Sequence, residues 1–239
     1  MKTKRLHLLV LTICLLAMMT ALPAAAQAES PWSFSFDTTF TSQYLWRGFV
    51  LNDTPSLQPN ISVGYKGLSV SSWSNFAHRG PFGENWTEHD LTVDYSHSFN
   101  KVGLSAGYIW YTFPDYKPNE GRYTHEFYLG ASYDTLLSPS FTYYRDVDQG
   151  DGDYFYGSIG HSVAMGKGVA LNLGTGLGIN HHSWIDRTAV SDWDINVSVD
   201  IPMGGKVKLS PFFTQMVGAK PEFGNHNMFG VAMSLISLP

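Results

Sequence analysis

Residues 192–201, Asp-Trp-Asp-Ile-Asn-Val-Ser-Val-Asp-Ile, alternate polar and apolar side chains without a break. Trp193, Ile195, Val197, Val199 and Ile201 share one face, and Asp192, Asp194, Asn196, Ser198 and Asp200 share the other. Successive side chains of an extended chain point to opposite sides, so this is a strand with one apolar and one wet face. Three carboxylates on one face exclude a strand buried on both sides, where each would need a partner. Roughly ten residues is also the length of a tilted strand that crosses the hydrocarbon layer of a bilayer.

The rest of the chain repeats this design. Phe34, Phe36 and Phe40 oppose Ser35, Asp37, Thr39 and Thr41 in a first strand that is expected to continue through Tyr44, Trp46 and Arg47. Period-two patterning bounded by Gly or Asn turns places further strands at 57–65, 68–76, 90–99, 102–110, 125–133, 140–144, 154–163 and 169–180. The opening stretch is the tenth, and 206–215 and 227–235 complete twelve. Short links near Gly67, Asn100, Leu137, Gly168 and Gly205 alternate with longer ones at 48–55, 77–87, 112–124, 145–153, 181–190 and 217–226. That order predicts an all-β fold: an antiparallel transmembrane β-barrel of about twelve strands, with short periplasmic turns, long extracellular loops and both termini in the periplasm. A soluble barrel would carry Lys and Glu outside, whereas the polar face here is mostly Ser, Thr, Asn, Gly and Asp, short enough for a crowded lumen. Trp32, Tyr65, Phe99 and Tyr133 near the short-turn ends, and Tyr44, Trp46, Trp110, Trp184 and Trp193 near the long-loop ends, read as two interfacial aromatic bands. Alternation fades after Leu235, so the closing register is the weakest part of the pattern.

The N-terminus sets the compartment. Lys2, Lys4 and Arg5 precede an apolar run at 8–22, and Ala26-Gln27-Ala28 has the small-x-small form of a cleavage site. Residues 1–28 are therefore expected to be a cleaved signal peptide and 29–239 the outer-membrane barrel. The sole cysteine, Cys14, lies in the leader, so the barrel carries no thiol, disulfide or thiolate metal site. Without the leader, 12 basic residues face 20 acidic ones, a formal charge of −8. No basic run suggests nucleic acid. The partners expected are outer-membrane lipid and lipopolysaccharide, the barrel-insertion machinery and small solutes; no cofactor is expected.

Parity along the strands also names candidate sites. Asp37, Asp90, Asp94, Glu126, Asp194 and Asp200 should point inward, and carboxylates lining a pore favour cations. Lys206 and Lys208 offer inward counter-charges, while Arg47, Arg79, Arg122, Arg145 and Arg187 fall at or beyond the long-loop ends. The expectation is a weak cation preference beneath a basic mouth. Asp146, Asp148, Asp151 and Asp153, with Gly150 and Gly152, form a candidate divalent-cation loop, although the spacing is not that of an EF-hand. The plainer reading is a turn facing water, or one bridged by divalent ions to lipopolysaccharide. Tyr128, Tyr144, Tyr154 and Tyr156 also point inward, as lumen filling or a track for a polar solute, and the Gly-rich wet face at 174–178 suggests space there. Catalysis is not expected: His161 and Ser162 are neighbours on one strand and so face opposite ways, no Gly-x-Ser-x-Gly elbow is present, and His181-His182 supplies too few ligands for a metal site.

One segment carries a family likeness. Thr41-Ser42-Gln43-Tyr44-Leu45-Trp46-Arg47-Gly48, followed by Asn52-Asp53-Thr54-Pro55-Ser56-Leu57-Gln58-Pro59, resembles the opening of the bacterial TorF porin family. Tyr65-Lys66-Gly67-Leu68-Ser69, the Trp73 strand after it, and the Tyr143-Tyr144 strand with its acidic loop are similar too. The likeness covers most of the chain in layout and only its first part in motif. It implies an outer-membrane channel of undefined substrate and brings no catalytic residues across. On physical grounds Tyr44 and Trp46 would anchor at the outer interface, Arg47 would point into the mouth and Gly48 would let the chain turn. Passive diffusion of small ions or polar solutes is the function expected; a blocked barrel acting through its outer loops is the alternative.

Overall fold

The computed structural model describes residues 31–80, 85–116, 121–204, 206–218 and 223–238, so the expected leader and Gly205 lie outside the described residues. Among these, the strands in chain order are β1 (Trp32–Thr41), β2 (Tyr44–Trp46), β3 (Phe49–Asn52), β4 (Ser56–Tyr65), β5 (Leu68–Ala77), β6 (Trp86–Phe99) and β7 (Val102–Thr112). They continue with β8 (Tyr123–Tyr133), β9 (Ser140–Asp146), β10 (Asp153–Gly166), β11 (Val169–His181), β12 (Thr188–Pro202), β13 (Val207–Val217) and β14 (Asn225–Leu238). Twelve of them, β1 and β4 to β14, close an antiparallel barrel in which each strand neighbours the next. β1 pairs with β4 on one side and β14 on the other, so no edge is left and the backbone polar groups of the wall are satisfied within the ladder. The fade after Leu235 has a local cause: Phe36 pairs with Leu235 and Phe34 with Leu238, so the register slips by one residue at the seam.

The side chains are arranged inside-out. Leu129 and Phe229 on the outer face are 60% and 63% exposed, while the buried set is dominated by polar residues such as Thr41, Asn75, Glu88, Glu126, Asp146 and Asn180. An apolar exterior around a polar interior is what a bilayer selects in a barrel. Parity runs as the sequence predicts: Trp193, Ile195 and Val197 face out on β12, and Asp192, Asp194, Asn196 and Asp200 face in. Trp32, Tyr65, Phe99 and Tyr133 are exposed at the short-turn end, with the Trp32 and Tyr65 rings in tilted contact at 4.8 Å, and Trp110 and Trp193 are exposed toward the other end.

The short turns follow from backbone chemistry. Lys66-Gly67 and Lys167-Gly168 join paired strands with positive φ at both turn residues, the condition for a two-residue turn whose twist matches the flanking strands.

The long-loop end departs from the expectation. The first strand stops at Thr41 rather than running through Arg47, and residues 44–52 fold as a separate hairpin, β2–β3. Its turn is Arg47-Gly48, with φ of +48° and +92°. This is the same basic-Gly turn used at the short-turn end. Tyr44 and Trp46 are therefore not outer interfacial anchors. Trp184, expected in the same band, lies in the loop between β11 and β12 and packs edge-on to Phe113 at 6.3 Å.

Candidate functional site

The β2–β3 hairpin reaches across the lumen. Tyr44 lies 5.5 Å from inward Trp73 of β5, Trp46 packs edge-on to Tyr111 of β7, and Phe49 meets Phe223 after β13. Gly48 passes so close to β12 that a Cβ there would lie 2.7 Å from the Ser191 carbonyl oxygen, and only glycine fits. The hairpin thus crosses the long-loop end of the barrel from wall to wall.

Arg47 stands at its tip. Its two terminal nitrogens donate to the two carboxylate oxygens of Glu126 at 2.7 Å each, a bidentate pair. The guanidinium carbon is 4.3 Å from the Tyr144 ring centre and 4.5 Å from those of Tyr154 and Trp46. Tyr111 donates its hydroxyl to Glu126 at 3.0 Å. The side chains of Arg47 and Glu126 are 8% and 1% exposed. A planar cation that is charged at all accessible pH suits such a cage, where a lysine could neither fork onto the carboxylate nor stack on the rings.

Below and beside this cage the wall repeats one device. Tyr128 of β8 lies over Gly107 of β7 and donates to Asp94 of β6 at 2.5 Å. Tyr156 of β10 lies over Gly176 of β11 and donates to Asp194 of β12 at 2.7 Å. Tyr154 crosses Gly178 to Asp192, at 3.0 and 3.1 Å from its two oxygens. Each tyrosine spans one strand to fix a carboxylate on the next. Gly176 and Gly178 are therefore not open space: Tyr156 and Tyr154 cover them.

The other predicted residues are placed as follows. Asp90 faces the lumen beside Trp73 and Tyr111, and its Oδ1 is buried without a hydrogen-bond partner. Asp37 faces inward between Asn60 and Ser234. Asp200 accepts from Lys208 at 3.0 Å and Ser210 at 2.6 Å, so this one inward carboxylate is neutralised. Lys206 is exposed beside the β12–β13 turn. The structure does not bring the four carboxylates of the 146–153 loop together. Asp146 accepts from the Thr124 hydroxyl and the Asp148 N–H, Asp148 approaches His125, Asp151 takes Arg145, and Asp153 takes the Tyr143 hydroxyl. Among the described residues no group of three or more acidic, histidine or cysteine side chains could hold a metal ion. His161 contacts the Leu136 carbonyl oxygen, and His181 contacts the Thr188 hydroxyl.

Two residues of the site escaped the sequence reading, and a third was placed without its partner. Glu88 is buried at the lumen wall one parity step before Asp90 and was within reach of the same alternation. Tyr111 also continues the inward parity of β7. Asp192 was placed on the wet face, but nothing local signalled its tyrosine partner.

A family model described as a bacterial protein of unknown function, Gcw_chp, matches residues 25–230. No curated protein sequence matches the chain. Among solved structures, the KdgM porin superposes with a TM-score of 0.56 at 15% identity, covering 84% of this chain and 98% of that one. The NanC porin gives 0.56 at 11% identity, over 84% and 98%. An outer membrane channel from Pseudomonas putida F1 gives 0.53 at 8% identity, over 90% and 100%. These likenesses are of fold.

Proposed function

The chain belongs to the Gcw_chp family of bacterial proteins of unknown function, and we propose that it is an outer-membrane channel through which small ions and polar solutes diffuse passively. The observation that carries this reading is the wall: twelve strands with large apolar side chains outside and Ser, Thr, Asn and Asp inside. The shared fold with two porins and an outer membrane channel supports it. The likeness of residues 41–59 to the TorF porins belongs with it. In this reading the short turns and both chain ends face the periplasm, the long loops face outward, lipopolysaccharide surrounds the outer rim, and the barrel performs no catalysis.

The inward charges make the path cation-preferring. Among the described residues Asp94 and Asp194 have no basic partner in their hydrogen bonds and ion pairs, while Arg47 is held by Glu126 and Lys208 by Asp200. The KdgM porin has been solved in complex with disordered oligogalacturonate, an acidic chain; the wall described here is the wrong sign for such a solute. The hairpin narrows the path at the Arg47–Glu126 pair, and that observation also favours a second reading, a blocked barrel that works through its loops.

Single-channel recording decides between them. Protein beginning at Glu29, refolded and inserted in a planar bilayer under a salt gradient, is expected to give discrete steps with a cation-selective reversal potential. An anion-selective reversal would overturn the acidic filter. Silence from inserted protein would leave the blocked barrel.

A further inference from the structure

Between the hairpin and the loops of the long-loop end lies a cavity of about 270 Å³. Trp46 and Phe49 of the hairpin, Tyr111 of β7, Phe113 and Tyr116 after it, and Trp184 supply aromatic walls. Glu88 of β6 and Asp146 of β9 line the same space, and are 4% and 1% exposed. Trp46 packs on Phe49 at 6.3 Å and edge-on to Tyr111 at 6.4 Å between centres, so the hairpin and β7 form one continuous aromatic wall.

Trp184 is held there against its backbone preference. Its φ is +62°, a left-handed conformation that a bulky residue seldom adopts and that its surroundings must enforce. Its N–H donates to the Gly150 carbonyl at 3.1 Å. A Cβ on Gly150 would lie 2.5 Å from the Trp184 indole nitrogen, so the 146–153 loop is shaped to admit this ring. Closure of the barrel does not require such an arrangement. It places an aromatic face over the cavity.

Among the described residues, the titratable carboxyl groups that line the cavity have no basic side chain lining it beside them. Glu88 and Asp146 line it, with Asp90 next along the wall from Glu88. Of the cations nearby, Arg47 is bound by Glu126, and Arg122 donates to the Tyr116 and Pro114 carbonyls. We infer that the cavity binds a small organic cation: one apolar ring or its equivalent carrying an ammonium or similar head. Aromatic faces attract a cation through the ring quadrupole, and the Asp146 carboxylate in the cavity wall adds to that attraction while repelling an anion of the same shape. A cavity of about 150 Å³ takes benzene, so this one takes a ring with a short cationic arm. Trp46 belongs both to this cavity and to the Arg47 cage, where the guanidinium lies 4.5 Å from its ring centre. An occupant therefore touches the hairpin that crosses the lumen. The inference names a solute class for the channel proposed above, and rests on that reading for the claim that what binds also passes.

The test is calorimetric titration of the refolded chain with benzyltrimethylammonium, benzyl alcohol and benzoate. Saturable binding of the cation, about tenfold or more tighter than either uncharged or anionic probe, is expected. Trp184→Ala, in an exposed loop where folding is not at stake, should weaken the cation about tenfold and leave the alcohol little changed. Glu88→Gln, which keeps the side-chain shape, should narrow the gap between cation and alcohol. Equal binding of benzoate, or cation binding indifferent to Trp184→Ala, would overturn the site. The same preparation is recorded in a bilayer: conductance without cation binding sinks the cavity and leaves the channel, whereas binding to a silent barrel sinks permeation and leaves the cavity.

Discussion

Arg47 sits at a left-handed φ of +48° and carries a buried charge, two costs concentrated in one residue. The first is of order 1–2 kcal/mol for a residue with a side chain. The second is offset because the fork onto Glu126 and the three rings replace water around the guanidinium. Removing only one partner of such a pair leaves a charge buried alone, typically at about 3–5 kcal/mol. Glu126→Gln is thus expected to lower the equilibrium constant for hairpin docking by roughly two to four powers of ten, on that estimate. Arg47→Asn separates charge from turn, since asparagine accepts the same turn geometry without the cation. Both variants should raise single-channel conductance, and Arg47→Asn should also strengthen cation selectivity. Unchanged conductance in both would show that the ion pair does not hold the hairpin in place.

The hairpin is an element in its own right, and the barrel does not need it. Thr41 and Ser56 are register partners across β1 and β4, so a short turn of about four residues can join the two strands directly. Replacing residues 43–54 by such a turn is expected to keep the folded barrel, checked by its β-type circular dichroism, and to raise conductance several-fold. A folded, inserted variant with wild-type conductance would move the constriction elsewhere. The sequence carried half of this. Arg47-Gly48 has the form of Lys66-Gly67 and Lys167-Gly168, both legible as tight turns, with apolar residues on either side. What hid it was length: β2 and β3 have three and four residues, too few for period-two patterning to separate from the preceding strand. Its inward direction depends on contacts with Trp73, Tyr111, Glu126 and Tyr154, which come from four other strands and leave no local trace.

At the scale of the whole barrel the alternation was legible because a wall one chain thick gives every side chain only two destinations, lipid or lumen. Inward acids such as Asp94 and Asp194, and inward tyrosines such as Tyr128 and Tyr156, could therefore be named by parity, whereas their pairing across an intervening strand could not. The two destinations also separate stability from selectivity. Leu129 on β8 is 60% exposed on the outer face, and an arginine there meets hydrocarbon, at about 2–4 kcal/mol near the midplane. Ser71 on β5 pairs with Ser62 and Thr92 on the inward face, where an arginine meets water and carboxylates. Denaturant unfolding in lipid vesicles should show Leu129→Arg destabilised by that amount and Ser71→Arg close to wild type. The reversal potential should respond in the opposite order, shifting toward anions in Ser71→Arg and staying put in Leu129→Arg. If Ser71→Arg lost stability while leaving the reversal potential unmoved, its side chain would not face a hydrated path, and the lumen would be packing rather than passage.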